Sequence, residues 1–223
     1  FSQSGTLSGA RAALVAQMEQ HGRALHQVAA HLAARFPITF GGIDFSLAPY
    51  PSQALSLGAA MEALGVPGLG GHGSLAAAAI LADTMDQAQF PRAGFSGLML
   101  PVLEDAVLAQ RAAEGLLTVK DLLLYSAVCG TGLDTVPLPG DASPGQLAAL
   151  LLDLAALACR LDKPLTARLM PIPGKQAGDA TGFDFAFFAN SRVLALHAAP
   201  LTGLLAGAEL FDLRRREDRW KGV

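Results

Sequence analysis

Residues 126–134 (SAVCGTGLD) combine a single thiol with two glycines, directly after an apolar stretch. Glycines beside a reactive residue allow close backbone approach and offer unhindered N–H donors. Cys129 can therefore serve as a nucleophile, provided that a neighbouring base or a helix terminus favours its thiolate. The alternative is a small buried hydrophobe in a tight turn, the usual fate of a free cysteine, and both interpretations stay open. Cys159, set among alanines and leucines, is expected in the core.

A second candidate is the glycine-rich segment 70–74 (GGHGS), which leads directly into an alanine-rich helix. Its backbone N–H groups and the positive end of the helix dipole favour an anion such as a carboxylate or a phosphate. We expect Gly71, Gly73 and Ser74 to bind that anion. His72 would act as acid, base or hydrogen-bond donor. The Lys-Ser/Thr pair of a phosphate-binding P-loop is missing, and the alternative is a glycine-rich turn with a serine helix cap.

Arg168 lies within the strand-like segment 165–172 (LTARLMPI), where an unpaired charge would be costly to bury. It should therefore meet a carboxylate, supplied either by a ligand or by the protein. The candidate protein partners are Asp44, Glu104 and Asp134.

Asp44 and Ser46 share one face of a predicted strand over residues 38–47, opposite apolar side chains. Polar side chains on such a face need partners or a cavity, so we expect both to contact a ligand. Lys175 lies in a polar loop, residues 174–179, which is a weaker candidate for a lid over a site.

Two other arrangements of these side chains stay open. A Ser-His-Asp triad would join Ser46 or Ser96 to His72 and Asp134, although no G-x-S-x-G motif supports it. No cofactor is predicted, but a divalent metal is possible, although no spacing demands one. Its ligands would come from Asp44, Glu104, Asp134 and His72.

The composition favours an intracellular α/β protein. Hydrophobic residues make up 52% of the 223 positions and charged residues 16%, as in parallel sheets that are covered on both faces. A net charge of −3 gives no case for nucleic acid, and the basic cluster at residues 214–221 is expected on a solvated helix face. Two cysteines fit a reducing, cytoplasmic compartment. We expect no membrane span and no signal peptide.

Strands that alternate with helices predict a single α/β domain over residues 1–223. The predicted strands cover residues 38–47, 94–102 and 165–172. The predicted helices cover residues 8–35, 52–64, 75–85, 104–115, 118–125, 143–161 and 204–220. The Cys129 segment, residues 126–134, is interpreted as a loop, and residues 136–141 are assigned to no element.

Five segments resemble, in the same order, a group of proteins often labelled PFL family protein, the domain of unknown function numbered seven-eleven. They are GGIDFSLAPYPS, GLGGHGSLAAAAILAD, GFSGLMLPVLED, LYSAVCGTGLDTVPLPGD and LTARLMPIPGKQAGD. The resemblance implies no activity, but it implies the ten-stranded α/β barrel of pyruvate formate-lyase and anaerobic ribonucleotide reductase, made of two parallel halves. In that group a cysteine-bearing loop enters the barrel centre, and Cys129 is the residue in a position to match it.

Two departures from that group matter. Its members are longer, and this chain resembles only their C-terminal part, so half or more of a barrel would show open sheet edges and apolar faces. We therefore expect a partner, either the N-terminal half or another chain, and a homo-oligomer. Glycyl-radical enzymes also carry a glycine loop of the Arg-Val-x-Gly-Tyr kind, whereas this sequence ends RRREDRWKGV. Gly222 has no such context, which disfavours radical chemistry.

The resulting hypothesis is a non-radical enzyme that acts on a small anionic metabolite at the centre of a barrel. Cys129 would be a nucleophile or acid–base group, His72 the proton carrier and Arg168 an anion binder. Asp44, Glu104 and Asp134 would serve on the acid side. The alternatives are a non-catalytic ligand-binding or regulatory protein, and a structural half-barrel that pairs with another chain. The enzyme hypothesis requires Cys129, His72 and a carboxylate to converge on one pocket.

Overall fold

A computed structural model describes residues 4–214 of the chain. Its helices are α1 (Leu7–Arg35), α2 (Leu57–Ala63), α3 (Ser74–Gln87), α4 (Ala106–Ala113), α5 (Val119–Tyr125) and α6 (Pro144–Leu161). Its strands are β1 (Gly132–Pro139) and β2 (Thr166–Ile172), and two short 3-10 turns lie at Gln53–Leu55 and Gly203–Ala206. The predicted helices at residues 8–35, 75–85, 118–125 and 143–161 are thereby confirmed to within two residues at each end.

Strands β1 and β2 pair in parallel, and α6 is the crossover helix between them. The start of α6 follows from its sequence, because Ser143 and Gln146 form a reciprocal capping box and Pro144 occupies the first helical turn. Asp162 ends the helix in the left-handed conformation. The predicted strand at residues 165–172 is confirmed as β2, whereas β1 was not predicted and begins inside the predicted loop at residues 126–134.

Two further extended segments continue the sheet beyond β1. The segment that carries Leu98 and Val102 lies next to β1, and the segment that carries Ile43 and Leu47 lies next to that one. Parallel bridges join Ile43 to Arg92 and Leu47 to Leu98. Hydrogen bonds then join Gly130 N to Leu98 O at 2.8 Å and Val102 N to the Asp134 carbonyl at 3.0 Å. Four extended segments therefore lie side by side and run in the same direction.

The predicted strands at residues 38–47 and 94–102 form only isolated bridges. Positive φ angles at Gly42 (132°), Gly94 (60°) and Ser96 (44°) break the extended conformation and prevent a continuous ladder. These are conformations that glycine adopts readily and that serine adopts at a cost.

The predicted helix at residues 52–64 is wrong in its start and its cap. Ser52 makes no side-chain capping bond, and a short 3-10 turn precedes α2. Ser56 caps α2 instead, because its hydroxyl accepts from Ala59 N and donates to the Asp105 carboxylate. The predicted helix at residues 204–220 is also wrong as far as it is described, since residues 207–214 are irregular. Residues 215–223, with most of the basic cluster, lie outside the described part.

The core lies between α2 to α5 and the extended segments. Strand β1 is buried along all but its last residue, whereas three residues at the start of β2 are exposed. The largest fully buried side chains are Met61, Leu69, Leu81, Leu98, Leu100, Leu103, Leu108, Leu117, Leu122, Leu133 and Leu138. Among the described residues, β2 is therefore the exposed edge strand of the sheet.

By length and composition alone, α6 is apolar enough to cross a membrane, and only Leu150 and Leu154 of its residues are buried. Asp153 lies in its middle. Both ends of α6 connect to strands that pair directly with each other, which is the arrangement of a helix lying along a sheet.

Candidate functional site

A β-bulge in β1 aims one carboxylate at one guanidinium. Leu133 pairs with Ala167 and Val136 pairs with Leu169, so Asp134 and Thr135 together face the single residue Arg168. Such a two-for-one pairing bends a strand and redirects its side chains. The Arg168 Nε donates to Asp134 Oδ1 at 2.6 Å.

Thr135 holds this bulge in a strained conformation. Its φ of 43° is left-handed, which is a genuine outlier for a β-branched residue. Its side chain is fully buried, and the Thr135 hydroxyl accepts a hydrogen bond from Leu103 N at 3.2 Å. The bulge is therefore tied to the backbone directly before Glu104. Thr135 was not predicted as a site residue, because the strain of its backbone is visible only in the dihedral angle.

Glu104 completes a cluster of three charges. Its carboxylate oxygen Oε1 lies 2.8 Å from Arg168 Nη2. Side-chain exposure rises from 6% for Asp134 through 27% for Glu104 to 52% for Arg168. Burial alone would lower the pKa of Arg168, but the hydrogen bonds and charges of Asp134 and Glu104 raise it above its usual value. Of the three carboxylates proposed as partners of Arg168, these two contact it and Asp44 does not.

Asp105 has a purely structural set of contacts. Its buried carboxylate accepts from Val107 N and Leu108 N, which caps α4, and from Leu57 N and Gly58 N at the start of α2. Of the two neighbouring acidic residues, Asp105 is therefore the one that stabilises the start of a helix. Because Asp105 fixes α2 against α4, it also fixes the backbone that carries Glu104.

A cleft of about 340 Å³ opens beside the charged cluster. Its charged lining residues are Glu104 and Arg168. The rest of its wall is aromatic residues and prolines, namely Pro49, Tyr50, Pro51, Phe185, Phe187 and Phe188. None of these aromatic residues and prolines was predicted to belong to a site. The four phenylalanines between residues 183 and 188 were the available signal, since so many aromatic side chains in one irregular segment need a common surface.

Cys129 lies in the hydrophobic core and does not line this cleft. It is 1% exposed, and its backbone N donates to Tyr125 O at 2.8 Å. Lys163 Nζ donates to Ser126 O at 3.1 Å, at the start of the segment that carries Cys129. Burial lowers the pKa of Lys163. The geometry favours the packing interpretation of Cys129 over the nucleophilic one.

The residue after Cys129, Gly130, is a glycine because the Phe95 side chain lies close to its backbone. A Cβ at Gly130 would lie 2.3 Å from the Phe95 ring, and one at Gly97 would lie 2.5 Å from the same ring. The end of the Phe95 ring therefore lies close to both glycines. Asp44 holds this loop in place, because its carboxylate accepts from Phe95 N and Ser96 N at 3.0 and 2.8 Å.

The hydroxyl of Ser46 also donates to Asp44, at 2.6 Å, and this bond with the two backbone donors lowers the pKa of Asp44. Asp44 and Ser46 are thus engaged with the loop rather than with the cleft. The alternative Ser-His-Asp triad is not assembled, because Ser46 is bound to Asp44, Ser96 to backbone oxygens and Asp134 to Arg168.

The glycine-rich segment 70–74 uses most of its own donors. Gly70 N donates to Ser74 Oγ, Gly71 N to Gly68 O, and Ser74 N to Gly71 O. Gly73 precedes α3 with a φ of 100°. His72 is exposed and lies outside the cleft lining. The contacts favour the glycine-turn interpretation, with Ser74 buried within the turn.

The remaining predicted residues also stand apart from the cleft. Lys175 closes a turn through its backbone, with its N–H bonded to Ile172 O and its carbonyl to Gly140 N. Within residues 4–214, no three His, Cys, Asp or Glu side chains lie close enough to hold a metal ion. Asp44, Glu104, Asp134 and His72 therefore do not gather into the metal site considered above.

Comparison with known proteins gives a consistent match. A family model described as Uncharacterised ACR (DUF711) matches residues 6–189. A UPF0210 protein of Pyrobaculum arsenaticum is 44% identical over 156 residues, which cover 68% of this chain and 35% of that protein. UPF0210 proteins of Lactobacillus delbrueckii subsp. bulgaricus and Methanosarcina acetivorans are 35% and 36% identical, and cover 73% and 70% of this chain. The chain spans about a third of the length of these relatives.

Proposed function

Since the chain belongs to the DUF711 family, which includes the UPF0210 proteins, we propose that it contributes the binding site of a non-radical enzyme acting on a small anionic metabolite. The site is the cleft formed by Glu104, Arg168 and the surrounding aromatic residues. The family description names no activity, so this proposal depends on the geometry of the cleft.

One observation carries the proposal. The bulge at Asp134 and Thr135 places a buried carboxylate against Arg168. The left-handed backbone of Thr135 in this bulge costs about 1–3 kcal/mol of strain. Strained residues and bulges are concentrated at ligand sites, where they redirect a side chain. An ion pair that served stability alone would not need a left-handed threonine, because regular strands pair opposite charges across the sheet.

Each charged residue has a distinct role in this proposal. Arg168 is half exposed and binds the anionic group of the ligand. Asp134 is a positioning residue, since it is buried behind Arg168 and fixes the plane of the guanidinium. Glu104 is the group placed to exchange a proton with the ligand.

Cys129 supports the site through packing in this proposal. Its loop runs beside the segment that carries Leu98, and its glycine receives the Phe95 ring. A nucleophilic role for Cys129, with His72 as proton carrier, stays a prediction. It would require the loop to open, because 1% exposure does not admit a substrate.

We also propose that this chain is part of a pyruvate-formate-lyase-like barrel in a cytoplasmic protein. Four extended segments running in one direction support that fold, as does the exposed side of β2. Parallel sheets are normally covered on both faces, so a further segment of the longer polypeptide, or another chain, is proposed to pair along β2. A structural role of this kind is compatible with the binding site.

The proposal is tested by isothermal titration calorimetry with acetate, succinate and inorganic phosphate as probes. The parent should bind at least one of them with a dissociation constant in roughly the millimolar range, and Arg168→Gln should weaken it about tenfold or more. Arg23→Gln removes an arginine that is 65% exposed on α1 and serves as the control. Equal binding by the parent and Arg168→Gln would contradict the proposal. Recovery of a bound natural metabolite in unchanged form would favour a binding protein over an enzyme.

A further inference from the structure

We infer that the cleft takes a zwitterion, an ammonium carboxylate of the amino-acid type with an apolar side chain. This inference rests on the proposed function and narrows the ligand class of the same site. It follows from the signs, the exposure and the surroundings of the charged groups that line the cleft.

The cleft presents one acid and one base at adjacent positions. Arg168 Nη2 and Glu104 Oε1 are 2.8 Å apart, and both residues line the cavity. A ligand with opposite charges on neighbouring atoms can lie antiparallel to such a pair. Its carboxylate then accepts from the exposed part of the guanidinium, and its ammonium donates to Glu104.

The charge balance disfavours a purely anionic ligand. Two carboxylates, Glu104 and Asp134, hold the single guanidinium of Arg168, so the cluster carries excess negative charge. An anion that reaches Arg168 must approach Glu104 as well, and like charges repel at that range. An ammonium group on the same ligand removes this repulsion, because it pairs with Glu104.

The aromatic wall supplies a surface for an apolar side chain and for the ammonium. Tyr50 is 39% exposed, Phe185 53% and Phe187 57%, so their rings face solvent rather than the core. Tyr50 and Phe187 meet edge to face with ring centroids 5.8 Å apart. Ring faces attract cations as well as apolar groups. A volume of about 340 Å³ suits a small molecule.

The test uses three probes that share one body: phenylalanine, 3-phenylpropanoate and 2-phenylethylamine. Calorimetry on the full chain should show phenylalanine binding about tenfold tighter than either analogue, because each analogue lacks one charge-assisted contact. Glu104→Gln should weaken phenylalanine about tenfold and strengthen 3-phenylpropanoate, because it removes the ammonium's partner and the repulsion of the carboxylate. Glu114→Gln removes a partly exposed glutamate that pairs with Arg111 and should change neither. Circular dichroism confirms that each variant is folded.

The other outcomes separate the two proposals. If 3-phenylpropanoate binds as tightly as phenylalanine, the zwitterion is refuted and the anion site stands. If 2-phenylethylamine binds as tightly as phenylalanine, the cleft is a cation site, which refutes both the zwitterion and the anion proposal. If none of these probes and none of the simple anions binds, both proposals fail, and the cleft is a surface that another part of the polypeptide covers.

Discussion

Arg168 Nε and Asp134 Oδ1 meet at 2.6 Å although the two residues are separated by 34 positions and by the whole of α6. The crossover helix brings their strands together, and the bulge turns Asp134 toward Arg168. Glu104 approaches the same guanidinium from a third segment. The cluster therefore exists only when three parts of the fold are in place.

The two ion pairs of Arg168 should differ in strength. Double-mutant cycles with Arg168→Gln, Asp134→Asn and Glu104→Gln should give a coupling of about 2 kcal/mol for the pair with buried Asp134. The pair with the more exposed Glu104 should give about 0.5 kcal/mol, because solvent screens it. Urea denaturation measures both couplings. Equal coupling energies would contradict the exposure gradient across the cluster.

Thr135 should be replaceable by serine but not by valine. Thr135→Val keeps the shape and the strain but leaves the buried Leu103 N–H without its acceptor, which costs about 2 kcal/mol. Thr135→Ser retains the hydroxyl and should stay within about 1 kcal/mol of the parent. Urea titration of the parent and both variants measures the free energy of unfolding and so compares the two substitutions. A valine variant as stable as the serine variant would show that the hydroxyl bond contributes nothing.

Gly132→Ala should destabilise the protein much more than Gly130→Ala. At Gly132 the φ is 101° and an added Cβ would lie 2.4 Å from the Thr166 carbonyl oxygen, which is backbone, so we expect a loss of about 2–3 kcal/mol. At Gly130 the added Cβ would lie 2.3 Å from the far end of the Phe95 ring. That ring is 43% exposed and can turn away, so we expect a loss of about 0.5 kcal/mol. Urea denaturation measures both losses, and equal losses would contradict this difference between a backbone contact and a side-chain contact.

The two thiols should react at very different rates with a thiol reagent. Cys159 is exposed, so the expectation that it lies in the core is wrong, and it should label at once. Cys129 is buried and should label only when the loop or the whole fold opens. Cys159→Ser should abolish the fast phase, and Cys129→Ser the slow one. Rapid labelling in the Cys159→Ser variant would restore Cys129 as a candidate nucleophile.

Glu62 should make the fold sensitive to acid. A hydrogen bond from Arg111 lowers the pKa of Glu62 below its usual 4.5, against the opposing effect of burial. A depressed folded-state pKa adds stability above the unfolded value, and that stability is lost as the pH falls through the folded value. Between about pH 6 and pH 3, Glu62→Gln should therefore lose about 1 kcal/mol less stability than the parent. Glu209→Gln, at an exposed position, should follow the parent, and a parallel curve for Glu62→Gln would refute the prediction.

Local signals in the sequence predicted the long helices and β2. Ser143 with Pro144 marks the start of α6, and an apolar run marks β2. The expectation that Arg168 must meet a carboxylate rested on the same kind of reasoning, since a charge in an apolar strand needs a partner.

The remaining features depend on contacts that are distant in sequence. β1 was not predicted as a strand, since its first three residues belong to the predicted loop at 126–134. Its Pro137 and Pro139 are residue types rare in strands, yet both pair with β2. Ser56 replaced Ser52 as the cap of α2 because Asp105, 49 positions away, accepts its hydroxyl. The cleft needed residues from four separate segments, which no spacing pattern within one segment reveals.

The bulge lets two residues at an odd spacing share one face of the sheet. Leu133 and Val136 are three positions apart, yet they pair with Ala167 and Leu169, which are two positions apart on β2. Deleting Thr135 would therefore restore regular alternation and leave Val136 and Leu138 on their present faces. A change of length at this point can alter the charge cluster while the later residues of β1 keep their places in the core.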